Sequence, residues 1–258
     1  NGEKMENDLK KYDKDGKPLN LIPTANRTRQ SNWIEKYYED PSSVEPSDED
    51  IKCELQLTSL TAFEPLNFLI NFGNFRKEIE PYKDKWTPYL RREGVSNDRE
   101  ALLLVGMEGD TAETHSSRPE HIRRAGRWLY EDEFNHPTDL YHDLKSCHEL
   151  LNYWNPIGRT FIVKTNAGGW FPPHKDEPLL NRRCFRVAAF IGTNVDHESF
   201  EWEIDGKVWP IKQNRAYYID TRKTHRTHSF ANDSYHLIMN IPKTWENVMK
   251  LMTVTRYF

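Results

Sequence analysis

Two residues apart in the stretch GWFPPHKDEPLLNRRCFRV (169–187) stand an imidazole and a carboxylate, His174 and Asp176. Side chains two apart on a strand share a face. This pair can therefore offer two donors to one divalent ion, and a third must arrive from a remote part of the chain. Two histidines, His225 and His228, stand late in the sequence in DTRKTHRTHSF. Two imidazoles and one carboxylate on one side of a metal leave its other side open, an arrangement suited to non-haem Fe(II). Residues three apart on a regular strand face opposite ways, so only one of His225 and His228 can join the pair. The distance back from the apolar stretch YHLIMNI favours His225, whereas a turn at Asn232-Asp233 would set His228 opposite His236. The losing histidine then faces away or orients a ligand by a hydrogen bond.

A guanidinium follows close behind. Arg186 sits between Phe185 and Val187 in CFRVAAF. A charge inside an apolar run demands a partner, and the planar fork of arginine matches a carboxylate with two parallel bonds. That carboxylate can belong to a ligand. It can also belong to the chain, with Glu201 or Glu203 as candidates for a purely structural ion pair.

These residues need elements to hold them. From Arg159 onward, short apolar stretches alternate with turn residues: RTFIVKTN, CFRVAAFIGTN, SFEWEID, KVWPI, AYYID, THRTHSF and YHLIMNI. Gly206, Asn214 and Ala231-Asn232-Asp233 supply the turn chemistry. Many short strands joined in this way predict an antiparallel roll. Upstream, EALLLVG (100–106) reads as a buried strand, FEPLNFLINFGNFRKEI (63–79) as a helix interrupted by Gly73, and DLYHDLKSCHELLNYW (139–154) as a helix. KTWENVMKLM closes the chain as an amphipathic helix, and the polar stretch 107–138 reads as an insertion loop near an opening. Residues 1–50 are charged and poor in aliphatics, which predicts an extended arm, with SNWIEKYYED a short docking helix. The expected organisation is this arm followed by one domain, residues 51–258.

With its elements in place, RTFIVKTNAGGWFPPHKDE resembles the strand, glycine turn and His-x-Asp element of the Fe(II)/2-oxoglutarate-dependent oxygenases. VWPIKQNRAYYIDTRKTHRTHSFANDSYHLIMNI is similar to their last strands, and the aspartyl/asparaginyl β-hydroxylase-like branch lies nearest. The resemblance spans about residues 159–242. It implies a double-stranded β-helix (jelly roll), mainly β with flanking helices, and a dioxygenase that uses Fe(II), 2-oxoglutarate and molecular oxygen. It also implies hydroxylation of an amino acid, a peptidyl side chain or another small polar substrate, with succinate and CO2 as co-products. The family spacing, counted from Asp220, places the third ligand at His225. The cation that usually holds the far carboxylate of 2-oxoglutarate, nine or ten residues later, is missing: Ser234 and Tyr235 stand there. The branch's arginine on the strand after His-x-Asp falls on Arg186, with His228 and His236 as further donors and Arg182 and Arg183 as alternatives. Asp176 itself implies hydroxylation rather than halogenation. The rival reading is a non-catalytic jelly-roll binding or structural module that has lost turnover; a weaker third is a cupin-like metal enzyme working without 2-oxoglutarate.

Composition narrows the classes. The 258 residues carry a net charge of −4, which argues against a nucleic-acid footprint. Three cysteines with no close pair imply reduced thiols in a reducing, cytoplasmic compartment. No apolar run is long enough to span a membrane. His115, His121 and His136 read as solvated loop residues, His142 and His148 as surface ones. HIRRAGR (121–127) reads as a solvated basic face that could also greet an acidic substrate.

Overall fold

The computed structural model describes residues 45–89, 98–176, 182–196 and 198–255. The stretch SNWIEKYYED lies outside them. Helix α1 (Asp48–Thr58) begins just inside the expected arm, with Ser47 and Asp50 forming a reciprocal cap. It buries Cys53 and Leu57 and packs on the closing helix.

Two antiparallel sheets face each other. The larger runs β1 (Phe63–Leu69), β10 (Arg215–Ile219), β7 (Cys184–Ile191), β12 (Ser234–Pro242), β5 (Thr160–Thr165), β3 (Arg99–Gly106) and β2 (Thr87–Pro88), with β4 (His136–Pro137) on β3. The smaller runs β6 (Trp170–His174), β11 (His225–Ser229), β8 (Phe200–Ile204) and β9 (Lys207–Val208). This is the expected jelly roll, mainly β with flanking helices.

The larger sheet is buried on both faces, and its strands alternate between two cores. Ala101, Leu103, Phe161, Val163, Ala188, Phe190 and Ile238 point into the roll against Phe200, Trp202 and Ile204. Their neighbours Leu102, Leu104, Ile162, Val187, Ala189, Leu237 and Met239 point outward into a second cluster. Helices α2 (Phe72–Ile79), α4 (Asp139–Asp143), α5 (His148–Leu151) and α6 (Trp245–Thr255) cover that outer face. Between α2 and α4 in the chain lies α3 (Arg118–Ala125), part of the insertion. Double burial explains why β3, β7 and β12 read as unbroken apolar runs instead of alternating ones.

Three expectations need correction. Residues 63–79 are not one helix: Phe63–Leu69 pairs with β10, and Asn71 caps the separate helix α2. Apolar spacing in so short a run fits either period, and sheet pairing decided it. The 139–154 stretch is split into α4, a 3-10 turn at Lys145–Cys147, and α5. The 107–138 insertion is not an open loop. It builds a small core of its own from Ile122, Trp128, Leu129 and Phe134.

Candidate metal centre and its arginine-lined cavity

Strand β6 begins at a turn that only glycine fits. A Cβ on Gly169 would lie 2.5 Å from Thr165 Cγ2 and 2.8 Å from Asn166 O, closer than packed atoms tolerate. The turn sets β6 beside β11, with the backbone amides of Gly168 and Ser229 donating to Ser229 O and Gly169 O at 2.8 Å. The pairing then slips: Thr227 is opposite Phe171, but His225 is opposite His174. Pro172 and Pro173 lack the N–H groups a regular ladder needs, so an irregularity here is expected. Its effect is to turn His174 to the same side as His225, with ring centroids 4.2 Å apart. Asp176 lies beyond the end of β6, so shared strand parity does not place it. Its backbone N–H donates to Thr221 O at 3.0 Å, which brings the side chain back over the roll.

One ligand atom each from His174, Asp176 and His225 lies within 4.8 Å of the others. The two imidazoles are set in the same way. His174 Nδ1 is 2.8 Å from Pro172 O and His225 Nδ1 is 3.0 Å from Lys223 O. A carbonyl can only accept, so Nδ1 carries the proton and Nε2 keeps its lone pair for a metal. Burial drives the His225 pKa down to about 4 against the opposing pull of Asp176, so this ring is neutral at physiological pH. Burial works to raise the Asp176 pKa, yet Arg186 and the two imidazoles hold the carboxyl far below its usual range. A neutral imidazole at His225, a second imidazole held by the same Nδ1 tether and an ionised carboxylate make a donor set that suits a divalent ion, so the residues fit a metal. His228 lies on the other face of β11, its ring against Phe230, and is not part of the group.

The fork of Arg186 is already engaged. Nη1 lies 3.0 Å from Asp176 Oδ2, and Nη2 donates to Asn240 Oδ1 at 2.9 Å. The sequence reading offered Glu201 and Glu203 as structural partners; Glu203 belongs instead to Arg226. Asn240 continues inward to Glu131 Oε2 at 3.2 Å, and Arg159 grips Glu131 at 2.6 and 2.9 Å. Gly158 lets the insertion approach this closely, since a Cβ there would meet Glu131 O at 2.5 Å.

Beside the three candidate ligands opens a cavity of about 280 Å³ lined by Arg99, Arg118, Arg159 and Arg186, with Trp202, Thr227 and Ile238 among the other walls. Arg99 is the residue that the sequence reading missed. Its Nε and Nη1 are buried without a hydrogen-bond partner, and its guanidinium lies between the rings of Tyr89 and Phe171 at 4.9 and 4.7 Å. Other orphaned atoms are near. Thr165, with its Oγ1 unpaired, stands opposite Arg99 in the β3–β5 register. His236 Nε2 is also unpaired; burial first, and then Arg99, push its pKa well down. Trp202 Nε1 is a further unpaired donor in the wall. A buried cation among unused donors is the chemistry of an anion site. Parity with Ala101 and Leu103 along β3 was the signal that could have turned Arg99 inward.

Other expectations shift. His121 is not solvated: it is buried, with Nε2 2.9 Å from Asp110 Oδ2 and Nδ1 2.9 Å from Ser117 O. In the basic stretch after it, Arg123 pairs with Glu120, Arg124 with Asp110 and Arg127 with Glu133, all toward the surface. The arginine of this insertion that reaches the cavity is Arg118, at the start of α3. Cys53, Cys147 and Cys184 are buried free thiols. Among the described residues, no helix is long and apolar enough to cross a membrane.

No protein-family model and no curated protein matches the chain. Among solved structures it is similar to a prolyl hydroxylase from Trichoplax adhaerens, in complex with a hypoxia inducible factor oxygen degradation domain peptide fragment. That match has 12% identity over 84% of this chain and 98% of that one, with a TM-score of 0.43. It is also similar to an oxidoreductase of the 2OG-Fe(II) oxygenase family from Burkholderia pseudomallei, at 12% identity over 77% and 93%, TM-score 0.40. An RmlC-like cupin from Desulfovibrio desulfuricans matches at 14% identity over 32% and 70%, TM-score 0.26.

Proposed function

We propose that the chain is an Fe(II)- and 2-oxoglutarate-dependent oxygenase that hydroxylates a small polar or peptidyl substrate. The observation that carries this reading is the pair of Nδ1-tethered imidazoles and the ionised carboxylate converging beside a cavity that contains a guanidinium, Arg99, with no acid partner among the described residues. Iron with a 2-oxo acid and oxygen supplies oxidative decarboxylation coupled to insertion of hydroxyl into a C–H bond; the protein supplies position and dryness.

In this reading His174, Asp176 and His225 would hold the metal. Arg186 keeps the Asp176 carboxylate ionised and aimed, because its fork is spent on Asp176 and Asn240. The far carboxylate of 2-oxoglutarate falls to Arg99, with Thr165, Trp202 and His236 as additional donors. This reassigns the role first given to Arg186 and keeps His236 near the co-substrate. The rings of Tyr89 and Phe171 fix the Arg99 guanidinium in place and shield it from water, which strengthens its hold on an anion.

The test is anaerobic addition of Fe(II) and then 2-oxoglutarate, read as a visible charge-transfer band. Wild type should develop the band. Arg99→Gln should keep Fe(II) binding and weaken 2-oxoglutarate at least about tenfold, the scale of one lost charge-assisted hydrogen bond. A folded, iron-loaded wild type with no band and no succinate in air refutes the reading and leaves the non-catalytic roll. If Arg99→Gln binds 2-oxoglutarate as wild type does, the anchor lies elsewhere.

A further inference from the structure

The slip between β6 and β11 also decides where Phe171 points. Residues three apart on a regular strand face opposite sides, yet Phe171 and His174 both line the cavity, as do their partners Thr227 and His225 on β11. The two rings meet edge to face, with centroids 4.5 Å apart and planes at 70°. Phe171 also packs against Arg99, whose guanidinium carbon lies over the phenyl face, 4.7 Å from its centroid. One side chain thus touches a candidate metal ligand and the candidate anion anchor. The backbones on either side of it are tied as well. In the turn that leads into β6, Asn166 N–H donates to Asp98 O at 3.0 Å, and Asp98 directly precedes Arg99.

Both neighbours need such a wall. The Nδ1 tether of His174 sets which nitrogen is left for a metal, but one hydrogen bond leaves a ring free to rock about it. Nε and Nη1 of Arg99 are buried without a hydrogen-bond partner, so the flanking rings hold the guanidinium. We propose that Phe171 is a positioning residue shared by the metal and the co-substrate: its contact with His174 sets the plane of that imidazole, and its face holds Arg99 in place for the far carboxylate. This rests on the oxygenase reading and adds to it a link between the two binding steps.

Mn(II), and then 2-oxoglutarate on the Mn(II)-saturated protein, are titrated by calorimetry into wild type, Phe171→Leu, Phe171→Tyr, Arg99→Gln and the Phe171→Leu/Arg99→Gln pair. Phe171→Leu keeps an apolar side chain and loses the π face. It should weaken Mn(II) about threefold, the scale of one aromatic contact, and 2-oxoglutarate about fivefold, the scale of one cation–π contact. In the Arg99→Gln background the same substitution should change 2-oxoglutarate affinity by less than about twofold, because the cation it acts through is gone. The loss of Mn(II) affinity should persist there. Phe171→Tyr, which keeps the face, should bind both ligands within about twofold of wild type. A merely structural role would weaken 2-oxoglutarate alike in both backgrounds, and that result overturns the proposal. So does a Phe171→Leu that binds either ligand as wild type does, or a Phe171→Tyr that falls with it. Phe171→Met takes the place of Phe171→Leu if the latter does not fold. A wild type that takes up Mn(II) but no 2-oxoglutarate refutes the oxygenase reading, and this proposal falls with it.

Discussion

Asp176 sits between two demands. Unloaded, it is a partly buried carboxylate whose charge is met by Arg186; loaded, it would share that charge with an ion. Arg186→Gln should therefore destabilise the metal-free protein by roughly 1–3 kcal/mol, the cost of leaving a partly buried charged group without its partner. Added Mn(II) should recover more of the melting temperature in the variant than in wild type, measured by calorimetry side by side. The candidate ligands also separate cleanly from their neighbour. Alanine at His174, Asp176 or His225 should abolish Mn(II) binding, whereas His228→Ala should leave it within about twofold, since removing a residue outside the group leaves its geometry alone. The pairing of His174 with Asp176 was legible in the sequence, but strand parity is not what makes it: Asp176 lies past the end of β6, and its N–H bond to Thr221 O returns it to the roll. Parity excludes one of His225 and His228 without saying which; the family spacing pointed to His225, and the register with β6 sets that histidine opposite His174. Parity along β3 could have turned Arg99 inward, but that it and Arg118 line one cavity is a product of packing, and neither residue neighbours the motif in the chain.

The elements around the site are shaped by a few local constraints. The slip between β6 and β11 begins at two prolines and ends with two imidazoles on one side. Gly169→Ala drives a methyl into Thr165 and Asn166 O and should cost about 1–3 kcal/mol, as overpacking does. The same variant should bind Mn(II) more weakly, because β6 cannot shift without carrying His174 along; unchanged affinity in a titration would mean the turn is merely structural. Strand assignments held from Arg159 onward, where turn residues punctuate the runs. They failed over 63–79, where the apolar spacing satisfied both periods and an edge pairing with β10 chose between them. The insertion was underestimated because polar residues dominate its sequence, while its few aromatics gather into a core visible only in three dimensions.

At the scale of the whole molecule, the larger sheet separates two cores, one inside the roll and one beneath the helices. Leu103→Ala, facing the roll, should cost about 2–5 kcal/mol in denaturant unfolding, the range for a buried leucine whose cavity does not collapse. Glu131, Arg159 and Asn240 fasten the insertion to this sheet by polar contacts, beside the pairing of β4 with β3 and the burial of Ala112 in the outer core. The orientation of each imidazole, by contrast, depends on nothing so remote. The carbonyls that tether the two rings belong to Pro172 and Lys223, each two positions upstream of its histidine. Every ring thus takes its bearing from its own stretch of backbone. A different covering segment, with other charges and another appetite, could replace the present one and still find the same two lone pairs waiting.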